Sequence, residues 1–165
     1  MRPIQTFAFQ NSKEIFHCSI IVHNYYQIGG GEHTVFHNEV ELLRKHGHEV
    51  VEYTRDNVEL EKSKLTLILS PLSTIWSLKT YREVRRVIRE QKIDIVHCHN
   101  TFPLISPSVY AAAHSMKVPV VQTIHNFRFV CPCGLLYTEG KVCEKCLEHM
   151  TITECILLLK QIMKC

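Results

Sequence analysis

Apolar positions along this chain follow two alternating patterns. Cys18-Ser-Ile-Ile-Val-His23 is a short, β-branched-rich run without polar alternation, as expected of a parallel strand buried on both faces. A polar and glycine-rich stretch follows, from Asn24 to Gly31. From Glu32 the period lengthens: Val35, Phe36, Val40 and Leu43 recur at steps of three and four, with Glu39, Glu41 and Arg44 between them, which predicts an amphipathic helix. His46-Gly47 closes it, with Gly47 expected as the left-handed cap. A second strand is expected over Glu49–Thr54. Residues 55–78 are less legible: a charged stretch, the apolar Leu65–Leu69, then Pro71. Lys79–Gln91 predicts a second helix with Tyr81, Val84, Val87 and Ile88 facing inward, and Ile93–Cys98 a third strand. Ser106-Pro107 predicts an N-cap and first turn for a helix over Pro107–Met116. Val118–Ile124 reads as a fourth strand, 131–146 as a cysteine-rich loop, and 151–165 as a helical tail.

Strands that alternate with helices and lack polar alternation predict an α/β fold, a Rossmann-like doubly wound parallel sheet. No internal repeat or linker divides the chain. The expected layout is an irregular leader over 1–17, one domain over 18–150, and the tail over 151–165.

Composition narrows the setting. The chain has 165 residues, 45% hydrophobic and 21% charged, a globular balance rather than a disordered one. Nineteen basic against sixteen acidic residues leave a net charge of +3, so no nucleic-acid partner is expected. No stretch reads as a membrane span, since Leu65–Trp76 is broken by Ser70, Pro71, Ser73 and Thr74 and Cys155–Leu159 is short. The first residues carry no apolar signal core, so a cytoplasmic location is expected. Eight cysteines in such a chain argue for thiols, or for metal in one cluster.

Ligands of open parallel sheets bind beyond the carboxyl ends of the strands. Strand one ends at His23 and the glycine loop. Strand three leads into His97, His99 and Asn100, and strand four into His125 and Asn126. Three strands thus deliver His or Asn to one rim, against the plainer reading that polar residues merely solvate loops there. Gly29-Gly30-Gly31-Glu32 stands between a strand and a helix start, where free amides favour phosphate or sugar hydroxyls, although it is neither a dinucleotide fingerprint nor a Walker loop. Cys131, Cys133, Cys143 and Cys146 have plausible zinc spacing, with free thiols as the alternative. Arg82, Arg85, Arg86 and Arg89 make one helix face basic. That face could touch an anionic membrane or simply be solvated beside Glu83 and Glu90. His46 and His48 read as structural.

Three stretches carry a family resemblance: VHNYYQIGGGEHTVFHNEVELLRKHGHEVVEYTRDN, IDIVHCHNTFPLISPSVYAAAHSMKVPVVQTIHNFRFVCP and GLLYTEGKVCEKCL. From about Ile20 to Leu147 the chain resembles the N-terminal domain of family 4 glycosyltransferases, retaining enzymes of the GT-B fold. The resemblance implies transfer of a sugar from a nucleotide-sugar to a glycan or lipid-linked acceptor, in the setting of cell-surface polysaccharide synthesis. It also implies no obligatory metal or other cofactor, and the basic face over Arg82–Arg89 leaves room for peripheral contact with the inner membrane face. His125 matches the active-site histidine near the transferred sugar. His99 and Asn100, with Asn126, match the acceptor-side wall, and Gly29, Gly30 and Gly31 match the loop that approaches the donor diphosphate. The resemblance further implies a second Rossmann-like domain with paired glutamates, which this sequence does not contain. The chain is therefore expected to be inactive alone, as an acceptor-binding fragment or a truncated product. It departs from the family pattern at Gly29, often Pro, at His33, often acidic, and at Cys133, often Asn. A small zinc or redox protein working through the four loop cysteines is the reading unrelated to sugars.

Overall fold

The computed structural model describes residues 17–26, 30–60, 73–131, 134–138 and 140–144. Strand β1 (Cys18–Tyr25) is followed by α1 (Gly31–Lys45), β2 (Glu49–Asp56), a 3-10 turn (Asn57–Leu60) and α2 (Leu78–Gln91). Strand β3 (Ile95–Asn100), α3 (Ser108–Ser115), β4 (Val120–Gln122) and a small hairpin of β5 (Tyr137–Thr138) and β6 (Lys141–Val142) complete the described elements. The first four strands pair in parallel in the order β2-β1-β3-β4. The chain leaves β1 for β2 on one side and returns to β3 on the other. The strand order therefore reverses between β1 and β3, and a crevice opens at their carboxyl ends.

Both faces of the sheet are covered, as the strand composition requires. Ile20 and Val22 of β1 and Val96 and Cys98 of β3 pack against Val84 and Ile88 of α2 and Val109 and Ala112 of α3. Ile21 points the other way, onto Phe36 and Val40 of α1. Helix α1 ends in a Schellman motif. The His48 amide donates to the Leu43 carbonyl and the Gly47 amide to the Arg44 carbonyl, with Gly47 at φ +82° as its sequence position predicts. Helix α2 starts at Ser77, whose hydroxyl accepts the Thr80 amide.

The structure corrects several sequence expectations. Strand β3 runs to Asn100, so His97 and His99 are strand residues and not loop residues. They alternate with Cys98, which sends both rings to the α1 face while Cys98 enters the aliphatic core. Between β1 and β3 the register shifts: Val22 pairs Cys98 but His23 pairs Asn100, so His99 is the extra residue of a β-bulge. Helix α3 begins at Ser108 with Pro107 as its cap, because Ser106 has a left-handed φ of +63°. The buried Ser106 hydroxyl accepts the Ser108 amide in the first turn, and it also accepts the Ser77 amide and donates to the Ser108 hydroxyl, tying α2 to α3. Val35, expected inward, is 43% exposed, since the α1 stripe is centred on Phe36 and Val40. Strand β4 is only three residues long and is an edge among the described strands. The expected cysteine loop contains the β5–β6 hairpin. The leader, Gly29, Leu65–Leu69, Cys133, Cys146 and the tail 151–165 lie outside the described residues.

Candidate functional site

The α1 face of β1 and β3 carries histidines where the opposite face carries aliphatics. His23 is fully buried, stacked on Phe36 at 4.9 Å between ring centroids and edge-on to His33 at 5.1 Å. Neither of its ring nitrogens has a hydrogen-bond partner. One bulge away, His99 is buried beside it, with 6.3 Å between their ring centroids.

Glu39 of α1 reaches down onto β3. Its Oε1 lies 2.8 Å from His97 Nδ1 and its Oε2 lies 3.3 Å from His99 Nε2. The second approach is off the hydrogen-bond direction, so the buried His99 Nε2 stays unpartnered. The far nitrogen of each ring is also engaged. His97 Nε2 meets the Thr123 hydroxyl at 2.8 Å, and His99 Nδ1 meets His125 Nε2 at 3.0 Å. His99 and His125 are stacked at 5.2 Å. Glu39, His99 and His125 therefore form a continuous polar row from α1, across β3, to the segment after β4.

That segment is held from behind. The Gln122 amide donates to the carbonyls of His99 and Thr123 and accepts the Tyr110 hydroxyl at 2.6 Å. Asn126 Oδ1 accepts the Arg128 amide, and the Arg128 guanidinium lies over the Tyr26 ring at 5.3 Å. The result is a shallow cleft at the carboxyl ends of β3 and β4, whose enclosed space is only about 20 Å³. Glu32, His99, Asn100, His125, Asn126 and Arg128 are among its walls.

The expected site residues divide within this frame. His99, Asn100, His125 and Asn126 come together around the cleft. Asn100, however, also anchors the chain. Its Nδ2 donates to the Asn24 carbonyl at 2.8 Å, while its Oδ1 accepts the Tyr26 hydroxyl and the Phe102 amide. Gly30 caps α1 and Gly31 opens it. A Cβ on Gly30 would come within 2.7 Å of the Glu32 carboxylate, and Glu32 is the residue of Gly30–Glu32 that lines the cleft. Glu39, Thr123, Gln122 and Arg128 were not singled out in the sequence. Of these, only Glu39 left a signal: a carboxylate at the border of the α1 apolar stripe, three residues after the buried Phe36.

Burial sets the electrostatics. It lowers the pKa of His23 to about 3, helped by the nearby His33 and His99. It lowers His99 to about 4, helped by His97 and His125. His97 is lowered by burial, against the pull of Glu39. His23 and His99 are thus neutral at pH 7, able to donate at one ring nitrogen and accept at the other. Among the thiols, burial pushes Cys98 up to about 12, which makes it inert. Cys131 is buried and Cys143 half-buried.

No helix among the described residues is long and apolar enough to cross a membrane. Compared with curated proteins, the chain matches none. The sequence pattern of Glycosyltransferase Family 4 matches residues 28–139, from the glycine loop through α1, β3, the cleft and into the hairpin. That match spans well over half of the chain and agrees with a parallel sheet covered by helices on both faces. The chain belongs to glycosyltransferase family 4, as an N-terminal-type domain of the GT-B fold.

Proposed function

We propose that this domain is the acceptor-side half of a retaining glycosyltransferase, which moves a sugar from a nucleotide-sugar onto a glycan or lipid-linked acceptor in polysaccharide assembly. The observation that carries the reading is the His99–His125 hydrogen bond of 3.0 Å at the mouth of the cleft. It fixes one imidazole at the point where strand ends of this fold present their ligands. His125 then contacts the transferred sugar, and His99, Asn100 and Asn126 line the acceptor side. The Gly29–Gly31 loop approaches the diphosphate with the amides of the α1 start. Arg128 adds a cationic group to the same wall. The reaction needs an acceptor hydroxyl held in line and a leaving diphosphate met by fixed donors. The described residues form one parallel sheet and a two-stranded hairpin, and a GT-B cleft is closed by a second domain, so turnover requires that domain as partner. A lipid-linked acceptor would bring the protein to the cytoplasmic face of a membrane, where the exposed Arg82 and Arg89 of α2 favour anionic headgroups.

The test is to incubate the chain with a panel of nucleotide-sugars, alone and with a separately expressed C-terminal GT-B domain. Transfer is expected only in the complemented mixture. His125→Ala is expected to lower its kcat/KM on the order of 100-fold with an unchanged circular dichroism spectrum, since a fixed donor at a reacting centre is worth that much. An unchanged rate would remove His125 from the chemistry. Acceptor binding without transfer in any mixture would leave a binding domain and overturn the enzymatic reading.

A further inference from the structure

We propose that Glu39, His97 and His99 form a binding site for one divalent transition-metal ion, of which Zn²⁺ fits best, pinning α1 to β3. The donor atoms all lie within 4.8 Å of one another. Tetrahedral zinc with bonds of about 2.0–2.2 Å sets its donors roughly 3.3 Å apart. Here Glu39 Oε1 is 2.8 Å from His97 Nδ1 and Glu39 Oε2 is 3.3 Å from His99 Nε2, so small side-chain shifts would open the space.

A second observation is independent of that spacing. The His99 side chain is wholly buried, and its Nε2, aimed at Glu39, makes no hydrogen bond. A buried ring nitrogen in that condition carries an uncompensated desolvation penalty, which a cation on its lone pair removes. The same cation also holds the carboxylate that faces both rings. Two imidazoles and one carboxylate select zinc and its neighbours over Mg²⁺ or Ca²⁺, which prefer all-oxygen cages.

The surroundings supply what metal-bound histidines normally have. His97 turns its other nitrogen to the Thr123 hydroxyl and His99 turns its own to His125. With metal on Nε2, the proton of His99 must reside on Nδ1, so His99 donates to His125 Nε2. Without metal, an Nε2–H facing Glu39 leaves Nδ1 to accept from His125. The cation would thus set the direction of that hydrogen bond. The site itself stands whether or not His125 serves sugar transfer.

The experiment is titration of the purified, chelator-treated full chain with Co²⁺ and then Zn²⁺. One equivalent of Co²⁺ is expected, with weak visible bands and no thiolate charge-transfer band, displaced by Zn²⁺. Zn²⁺ should also raise Tm. Glu39→Gln is expected to weaken affinity by at least about 100-fold, because even outer partners of a metal ligand are worth roughly 10–100-fold. Should that variant not fold, His97→Gln makes the same prediction from β3. An intense thiolate band that persists unchanged in either variant would assign the metal to the cysteine loop and overturn the proposal. No stoichiometric uptake at millimolar metal would overturn it equally.

Discussion

On the α2/α3 side of the sheet, Ile20, Val22, Val96 and Cys98 pack in a cluster of aliphatic and small residues, with Tyr53, Tyr81 and Tyr110 at its margin. On the α1 side, the alternate positions of the same two strands, His23, His97 and His99, meet Phe36, His33 and Glu39. A period of two in the backbone thus sorts one pair of strands into a face that holds the domain together and a face that holds chemistry. On the first face the core side chains of β1 and β3 bring no polar nitrogen or oxygen that needs a partner. The second keeps unpartnered nitrogens at His23, His33 and His99. The contrast identifies where stability was optimised and where it gave way to another constraint.

The largest effect should come from disturbing the aliphatic face. Val96 is fully buried in the central strand β3. Val96→Asp places a carboxylate there with no partner, at a cost of at least about 4 kcal/mol, a large part of the stability of an ordinary domain. Loss of the cooperative melt is expected. A wild-type Tm would mean that the two faces are not distinct in the way described.

Acid should act on the other face alone. In chelator, His23 and His99 hold folded-state pKa values of about 3 and about 4 against an ordinary 6.5. Above pH 6.5 both folded and unfolded chains keep these rings neutral, and the full stability is present. Below it the unfolded chain takes up protons that the folded one refuses, so stability falls with pH until the folded values are reached. Each ring can contribute up to about 1.4 kcal/mol per pH unit, so the chain should lose about 2–4 kcal/mol between pH 6.5 and 5. Thermal melts across that range measure it. A flat profile would show that the histidine face opens to water at little expense.

How much of this was legible in the sequence follows from the same contrast. Apolar runs and helical stripes located β1, α1, α2 and the parallel sheet, because burial on both faces leaves a one-letter signature. That His99, His125 and Asn126 share one rim was legible because the fold class fixes on which side the carboxyl ends of the strands lie. The boundary of β3 was missed because His-Cys-His-Asn reads as a polar loop, although its period of two is that of a strand with one polar face. Glu39 was read only as one of the residues between the apolar positions of α1. Its place at the border of that stripe is visible in the sequence, but its partners are two rings some sixty residues away, which no local pattern names. The bulge at His99 and the Gln122 brace depend on register and are equally silent. The α3 start differs by one residue only: the Ser106 hydroxyl still accepts the Ser108 amide as a cap does, and it also accepts the Ser77 amide of another helix, a tertiary contact that no local pattern carries.

The smallest predicted effect is also the sharpest, because its sign opposes the usual one. Most core substitutions destabilise. His23 is different, since it is buried against Phe36 with both ring nitrogens unpartnered. Leucine has nearly the same volume and no polar atoms to desolvate. His23→Leu in chelator is therefore expected to stabilise the fold by about 1 kcal/mol at pH 7, a rise of roughly 2–4 °C in Tm. It should also remove the His23 share of the acid sensitivity, so the gain should grow as the pH falls from 6.5 to 5. Val22→Ala, the adjacent residue on the opposite face, should do the reverse at every pH by leaving a cavity. If His23→Leu instead lowers Tm at pH 7, the imidazole has a partner in solution and the histidine face is as well satisfied as the aliphatic one. If it raises Tm without changing the acid limb, the protons are taken up elsewhere, and His99 becomes the ring to substitute next.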